Sequence, residues 1–383
     1  MLRKGTFILM KTKIQDMTSG SPGRLIILFA IPLMLGNICQ QLYTMVDTMV
    51  VGQVAGVEAL AALGAVDFLM WVVTGISTGL TQGFSIQLSQ YYGAKDFENL
   101  RKSLAHSYRL TAFIAAGVLI LSQSFASLVL TGLHTPSNII GMSLLYLRII
   151  FCGIPATAAY NMFASALRAM GNSKTPLTAM IIASVLNVSL DILFVAGFGW
   201  GVAGAAIATV IAQSFSAVYC FLILRRIDIV HLTRADFMPA SGMNARLMKL
   251  GIPVVFQNII IGVGGLVVQY VINGYGFLFV AGFTATNKLY GLLEMAAISY
   301  GYAIITYVGQ NLGAGKIDRI RKGVRSSMLL SLLTSLIISA AMFLFGKNIL
   351  SLFISGEPQQ TQQVLAIAFK YLSIMAAMLW VLY

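Results

Sequence analysis

Ten long apolar stretches dominate this sequence, and they constrain its fold more than any other feature. Each is comparable in length to the ~20 mostly apolar residues that an α-helix needs to cross the hydrocarbon of a bilayer. Turn-forming residues separate most of them, and they lack the apolar–polar alternation of a lipid-facing β-barrel. The sequence therefore predicts an all-α integral membrane protein. The stretches cover residues 25–51, 59–80, 104–127, 139–163, 176–196, 202–224, 248–272, 277–304, 326–345 and 362–383.

The composition excludes a soluble protein. Hydrophobic residues make up 58% of the chain and charged residues only 10%, and the mean hydropathy is +0.85. A soluble domain carries roughly 25% charged residues, so this chain could not cover a surface that faces water. The net charge of +13 would indicate nucleic acid in a soluble protein. Here the basic residues lie in short loops between apolar stretches, so we expect a lipid bilayer, and no nucleic acid, as the partner.

The lysines and arginines predict the orientation in the membrane. Of the 25, twenty lie in the N-terminal tail and the even-numbered loops, and the odd-numbered loops hold only Lys347. The other four, Arg109, Arg148, Lys288 and Lys370, lie within apolar stretches. Because cytoplasmic loops are enriched in lysine and arginine, this split predicts a multi-pass protein of the cytoplasmic membrane with a cytoplasmic N-terminus.

The chain contains two similar halves. The shared motifs are Ala30-Ile31-Pro32 with Asn37, which recurs as Gly251-Ile252-Pro253 with Asn258, and Gln90 with Gly93-Ala94, which recurs as Gln310 with Gly313-Ala314. The first half holds six stretches. An even number gives both halves the same orientation, so the repeat is parallel, about an axis along the membrane normal. Many transporters are built from such repeats, with the substrate site between them.

The repeat predicts a domain organisation. It consists of a cytoplasmic tail at 1–24, an N-lobe at 25–226, a cytoplasmic linker at 227–247 and a C-lobe at 248–383. The C-lobe has four stretches where the repeat predicts six, so we expect two further helices beyond Tyr383. We expect the protein to be a monomer.

Signatures of enzymes and zinc proteins are weak. Three scattered cysteines and three histidines lack the spacing of a disulfide framework or a zinc site,. The segment Gly75–Gly79 matches the G-x-S-x-G pattern of a serine nucleophile, Ser77 here, with His106 the only histidine in a nearby stretch. That pattern requires a strand–turn–helix context, and small residues are common where membrane helices pack. We therefore predict neither an enzyme nor a cofactor.

Carboxylates within the apolar stretches are the candidate functional residues, because an ionised side chain in hydrocarbon is costly and usually faces a cavity or a partner. Asp191 follows Asn187 by four residues, and Asp47 follows Tyr43 by four, so each pair shares a helix face. Thr209 could add a hydroxyl. Such oxygens are hard ligands suited to Na⁺. The same carboxylates can hold a proton instead, because two carboxylates close together in a medium of low dielectric repel each other. A structural hydrogen bond is the alternative for each residue.

Other polar residues are weaker candidates. Asp67 lies towards the outer end of the second stretch, where it could reach interfacial water. Glu294 could pair with Lys288 or line the cavity. Pro32 removes a backbone hydrogen bond and should kink the first helix, as a static bend or as a hinge. Asn37 could line the cavity, although we favour hydrogen bonding between helices.

Several motifs together resemble the multidrug and toxic compound extrusion (MATE) family, and the resemblance runs the length of the chain. Within that family, the sequence is similar to the DNA-damage-inducible-like subfamily. The motifs are Ala30-Ile31-Pro32, Val46-Asp47-Thr48 leading to Gly52, Tyr92-Gly93-Ala94-Lys95, the segment Ala166–Pro176, Gly199-Trp200-Gly201-Val202-Ala203-Gly204-Ala205-Ala206, and Val308-Gly309-Gln310-Asn311-Leu312-Gly313-Ala314-Gly315.

The resemblance implies a V-shaped pair of six-helix lobes that exports organic, often cationic, compounds in exchange for H⁺ or Na⁺. It implies a coupling site built from an aspartate, an asparagine with a second aspartate, and a threonine. These match Asp47, Asn187, Asp191 and Thr209. It also implies that Pro32 bends when the site is protonated. A second-lobe glutamate found in many relatives falls at Tyr290 in this register, so Glu294 does not take that role.

Two alternatives remain open from the sequence. One is a lipid-linked oligosaccharide flippase of the same superfamily, whose cavity would carry several basic residues for a pyrophosphate. The other is a truncated membrane protein that does not transport.

Overall fold

The computed structural model describes residues 14–133, 135–275, 277–351 and 358–382, and within these ranges the chain forms helices and no β-strand. A π-helical segment, Ile192–Gly197, continues one of the helices, and two short 3-10 helices, Asp228–Val230 and Arg234–Phe237, precede the second half. The helices are α1 (Pro22–Val54), α2 (Val57–Gly93), α3 (Phe97–Gly132), α4 (Ile140–Cys152), α5 (Ile154–Ala169), α6 (Lys174–Asp191), α7 (Gly201–Leu224), α8 (Met243–Asn273), α9 (Phe277–Gly313), α10 (Ile317–Ser351) and α11 (Pro358–Leu382).

The described helices confirm the predicted all-α membrane fold. Eight helices are long and apolar enough to cross a membrane, and the number reaches ten when two bent pairs each count as one span. One bend, of 45°, joins α4 to α5, and the other, of 40°, divides α2 after Asp67. The first thirteen residues of the predicted N-terminal tail, and Tyr383 in the last predicted stretch, lie outside the described residues.

The C-terminal ends of α2 and α9 cross in close contact, and the two halves make equivalent contacts there. Gly93 lies so close to the backbone of Gln310 that a Cβ there would overlap it, and Gly313 lies equally close to the backbone of Gln90. Gly93 corresponds to Gly313, and Gln90 to Gln310, in the sequence repeat. The contact that the first half makes with the second is therefore repeated by the second half with the first. A two-fold axis along the membrane normal requires this equivalence.

Two asparagines at equivalent positions join the halves. Asn37 Nδ2 on α1 donates to Ser299 Oγ on α9 at 3.2 Å. Asn258 Nδ2 on α8 donates to the Gly75 carbonyl on α2 at 3.1 Å. Both bonds connect different helices, as expected for polar side chains within a membrane bundle.

The segment between α7 and α8 is held against α3. The His106 ring nitrogens lie 2.7 Å from Asn244 Oδ1 and 3.1 Å from the Met238 carbonyl. Arg101 forms an ion pair with Asp236 at 3.7 Å. Asp236 also caps the second 3-10 helix, because its carboxylate accepts the Thr233 N–H at 2.7 Å. The polar segment between the halves is therefore a folded element.

Candidate functional site

The predicted site residues lie on three helices, α1, α6 and α7, which pack against one another. Asp47 comes from α1, Asn187 and Asp191 from the last turn of α6, and Thr209 from the middle of α7. The side chains of Asn187 and Asp191 are fully buried, and Asp47 is 6% exposed. Both carboxylates are therefore buried among the helices of the first half of the chain.

The position of Asp191 depends on a break in regular helix geometry. It is the last residue of α6, and the π-helical segment begins at the next residue. Single π turns within helices are often found at functional sites. The chain then reverses through Gly199 and Gly201, whose φ angles of +70° and +53° favour glycine,. The end of α6 is thereby brought onto α7.

The same turn explains the glycine-rich motif that follows Asp191. The Trp200 N–H donates to the Phe194 carbonyl at 2.9 Å, and the two rings stack with centroids 5.0 Å apart. A Cβ at Gly204 would lie 3.0 Å from the Phe194 Cβ. Gly204 therefore allows α7 to approach the π segment closely, so the motif sets the spacing between Asp191 and the α7 side chains.

Two hydrogen bonds connect the site across helices. Asn187 Nδ2 donates to Thr209 Oγ1 at 3.4 Å, joining α6 to α7. Gln213 Nε2 donates to the Tyr43 hydroxyl at 3.2 Å, joining α7 to α1. In both side chains the amide nitrogen donates the hydrogen bond between helices. The amide oxygen of each side chain is then available to accept a hydrogen bond or to bind a cation.

Several other buried oxygens of the site lack donors among the described residues. Five buried oxygens accept no hydrogen bond from the described residues: Asp47 Oδ1, Asn187 Oδ1, Asp191 Oδ1, Asp191 Oδ2 and Gln213 Oε1. Asp47 and Asp191 are close enough to interact electrostatically. Buried acceptors normally have partners, because leaving one unpaired costs about 1–3 kcal/mol. A proton or a small cation is the kind of partner that such unpaired oxygens accept.

The donor set fits a hard cation. Nowhere in the described ranges do three His, Cys, Asp or Glu side chains form a metal-ligating group. The cluster instead offers two carboxylates, two amide oxygens and a hydroxyl. Carboxylate, carbonyl and hydroxyl oxygens suit hard cations, whereas transition metals favour nitrogen and sulfur ligands.

Sequence reasoning missed two residues of the site. Gln213 follows Thr209 by four residues on α7, so helical spacing could have identified it. Tyr146 on α4 is 5% exposed and interacts electrostatically with Asp47, Asp191 and Tyr43. No spacing relates Tyr146 to the carboxylates, since α4 reaches them only through tertiary packing.

The structure places the weaker candidates in different surroundings. Asp67 is exposed, yet it interacts electrostatically with Asp47. Pro32 is buried inside α1, and Asn37 is used in its bond to Ser299. Glu294 is half-buried on α9 beside Tyr290. The side chain of Lys288, its suggested partner, lies outside the described residues.

The serine-nucleophile pattern does not form a catalytic site. Ser77 lies within α2, so the strand–turn–helix context is absent around it. Its carbonyl accepts a hydrogen bond from Thr81 Oγ1 at 3.0 Å. His106 is engaged by Asn244 and Met238. Thus neither residue has the contacts that a nucleophile and its base require.

Comparisons with known proteins agree with this architecture. The probable multidrug resistance protein YpnP of Bacillus subtilis (strain 168) is 31% identical over 346 residues, which cover 90% of this chain and 77% of that protein. The probable multidrug resistance protein YoeA of the same strain is 28% identical over 368 residues, which cover 94% and 78%. A solved structure of a MOP superfamily transporter from Pyrococcus furiosus Vc1 (DSM3638) superposes with a TM-score of 0.90 at 23% identity, covering 96% of this chain and 81% of that one.

The match to a family covers both halves of the chain. The sequence model of the family described as MatE matches residues 32–193 and 253–382. The first range holds the buried carboxylates, and the second holds the repeated glycine motif of α9. By this match, and by the identity to YpnP, the chain belongs to the MatE family.

Proposed function

We propose that this multi-pass membrane protein exports organic, often cationic, compounds across the cytoplasmic membrane in exchange for H⁺ or Na⁺. Its relatives are named as multidrug resistance proteins. The chain is a transporter and not an enzyme, and the proposal needs no cofactor besides the coupling ion. We further propose that it acts as a monomer with its N-terminus in the cytoplasm, and that no nucleic acid is involved.

The observation that carries the coupling proposal is the group of five buried oxygens without donors around Asp47 and Asp191. In a medium of low dielectric, two neighbouring carboxylates repel each other unless a proton or cation lies between them. A site of this kind binds and releases its ion as surrounding helices move. Ion binding is thereby linked to conformation, which exchange transport requires.

Each residue has a proposed role in that site. Asp47 and Asp191 supply the negative charge that holds the ion. Asn187 and Gln213 direct their amide oxygens into the site, because their nitrogens are held by Thr209 and Tyr43. When the ion neutralises the carboxylates, the attraction that fixes α1 relative to α6 and α7 changes. Motion of α1 would then alter the space available to the substrate.

The test is transport by the purified protein in lipid vesicles, with a fluorescent organic cation such as ethidium as the substrate. A pH gradient and a Na⁺ gradient are imposed separately, and the gradient that drives uptake identifies the coupling ion. We expect Asp47→Asn and Asp191→Asn each to reduce gradient-driven transport to background. Either variant transporting at the parent rate would refute the site.

A matched control is Asp228→Asn, which removes an exposed carboxylate from the segment between α7 and α8. We expect this variant to transport at the parent rate. Equal loss in all three variants would indicate a general effect of charge or folding, and would contradict the assignment. Absence of gradient-driven transport in the parent protein would contradict the proposed exchange itself.

A further inference from the structure

A groove between α3 and α4 opens on the outer face of the helix bundle, away from the carboxylate site. Its volume is about 660 Å³, and its walls include Leu119, Ile120 and Gln123 of α3 and Arg148 and Ile149 of α4. Ile120 is 64% exposed, and apolar residues beside it are exposed as well. Exposed apolar side chains on a spanning helix face lipid, so the groove opens towards the bilayer.

Arg148 lies at the depth of the hydrocarbon. It is the ninth residue of α4, which begins at Ile140. At 1.5 Å per residue, Arg148 lies ~12 Å along the axis from that end of the helix. The bent pair α4–α5 rises ~45 Å in all,. With ~30 Å of hydrocarbon centred on that span, Arg148 lies just inside one boundary of the hydrocarbon. Gln123, across the groove, is a similar distance from the end of α3 at Gly132.

Arg148 forms no ion pair with a side chain that the structure describes. The ion pairs of the described residues do not include it, and no carboxylate lines the groove. Gln123 Nε2 donates to the Arg148 backbone carbonyl at 2.8 Å. That hydrogen bond does not involve the guanidinium group. Charged residues inside a membrane normally pair or face a cavity, because an unpaired charge in hydrocarbon is costly.

We propose that the groove binds an anionic phospholipid, with its phosphate on the Arg148 guanidinium and an acyl chain along Leu119 and Ile120. The planar fork of an arginine matches two oxygens of a phosphate. An arginine side chain long enough to reach towards the interface meets a headgroup there, while its stem stays in apolar surroundings. An apolar channel with one cation at its end matches a lipid, whose chains are apolar and whose head is anionic.

The orientation proposed above places this lipid in the extracytoplasmic leaflet, because α4 begins after the loop that follows α3. The lipid contact itself does not depend on that orientation. Nor does it depend on the carboxylate site, from which the groove is separate. Binding of lipid and transport of drugs are therefore measured independently.

The test measures lipid binding by native mass spectrometry of the delipidated full chain. Phosphatidylglycerol and phosphatidylcholine with identical chains are titrated in separate arms, and sn-glycerol 3-phosphate is the water-soluble arm. We expect one phosphatidylglycerol to bind about tenfold more tightly than phosphatidylcholine, because the choline cation of phosphatidylcholine offsets the charge of its phosphate and repels the guanidinium. Glycerol 3-phosphate should not compete, because it has no chains for the groove.

Three variants separate this site from general surface charge. Arg148→Gln should abolish the preference for phosphatidylglycerol. Ile120→Trp fills the groove and leaves the charge in place, and it should weaken binding of the first lipid. Lys370→Gln removes an exposed cation from a different span, α11, and should leave the preference unchanged.

Several outcomes would overturn the proposal. They are an unchanged preference in Arg148→Gln, an equal loss in Lys370→Gln, and competition by glycerol 3-phosphate at the concentration of the lipid. If Arg148→Gln does not fold, lipid binding by Ile120→Trp tests the proposal instead. Binding at the parent level in that variant would exclude the groove.

Discussion

The backbone N–H of Met17 donates to Gln310 Oε1 at 3.0 Å, across 293 residues of sequence. The amide nitrogen of the same glutamine donates to the Ala169 carbonyl at 2.8 Å. Gln310 therefore joins three separate segments: the residues before α1, the end of α5 and the end of α9. Met17 is fully buried at this junction.

Neighbouring contacts reinforce the junction. Asn311 Nδ2 donates to the Met17 carbonyl at 3.0 Å, and Arg319 Nη1 donates to the Gly20 carbonyl at 2.9 Å. The Gln15 N–H donates to the Gly171 carbonyl at 3.1 Å. The segment 14–20 thus ties the two halves together at one end of the bundle. A conformation open at that end requires these bonds to break.

The first prediction is that Gln310→Ala loosens this end of the bundle. The change leaves the Met17 N–H and the Ala169 carbonyl unpaired, at a cost of about 1–3 kcal/mol for each group. A cysteine introduced for the buried Ser173 reports on opening, in a background without Cys39, Cys152 and Cys220. We expect its maleimide labelling to accelerate by about fivefold or more, the factor that ~1 kcal/mol produces.

The control for that prediction is Gln363→Ala, which changes an exposed glutamine on α11. Its labelling rate should equal that of the parent. If Gln310→Ala also labels at the parent rate, the junction does not restrain this end of the bundle.

The sequence allowed the spans to be predicted because length and hydropathy alone decide whether a segment can remain in lipid. The helix ends were less predictable. The structure extends α2 to Gly93 and starts α3 at Phe97, well past the apolar stretches. These polar turns are helical because they pack on other helices, as Gly93 does on Gln310. A hydropathy pattern contains no information about such contacts between helices.

Some residues of the candidate site could likewise be predicted from the sequence, and others could not. Asp47 and Asp191 could be identified because charge is costly in hydrocarbon, and Asn187 because of helical spacing. The π segment after Asp191 and the approach of Tyr146 depend on how α4, α6 and α7 pack. The bond between Met17 and Gln310 joins residues from opposite ends of the chain. No local pattern encodes it.

A second prediction concerns stability. Asp191→Asn should raise the melting temperature of the ion-free protein in detergent, because it removes one of two neighbouring buried charges. The introduced amide can also donate to an oxygen that lacks a partner, such as Asp47 Oδ1. We expect a gain of about 1–3 kcal/mol, the cost of a buried unsatisfied group, measured by scanning fluorimetry without drug.

Loss of function with gain of stability would mark the carboxylates as functional, since active sites commonly sacrifice stability. Asp228→Asn is the reference, and its melting temperature should not move. A lower melting temperature in Asp191→Asn would mean that the carboxylate is a structural hydrogen-bonding group, contrary to the proposed ion site.

The third prediction tests orientation. Ser137 lies in the exposed loop between α3 and α4, and Ser241 lies in the exposed segment before α8. With cysteine at one or the other position, a membrane-impermeant maleimide added to intact cells should label position 137 and spare position 241. The reason is the excess of lysine and arginine in the tail and even-numbered loops. The opposite labelling pattern would invert the proposed topology.

The last prediction concerns Pro32. It lies within α1, fifteen residues before Asp47, so the two are ~22 Å apart along a helix that rises 1.5 Å per residue,. Proline removes a backbone hydrogen bond there, and a bend at this point would move the Asp47 end of α1 relative to α6 and α7. We expect Pro32→Ala to restore the bond and to favour the straight form. Drug binding should persist, whereas the transport rate in vesicles should fall.

The repeat supplies a matched control for this hinge. Pro253 occupies the equivalent position in α8, and no predicted ion-site residue lies on that helix. Because a bend there displaces neither Asp47 nor Asp191, Pro253→Ala should bind drug and transport at close to the parent rate. Equal slowing in both variants would show that each proline only shapes its helix. Parent-rate transport by Pro32→Ala would show that α1 works without a bend, so ion release would have to move the site by another route.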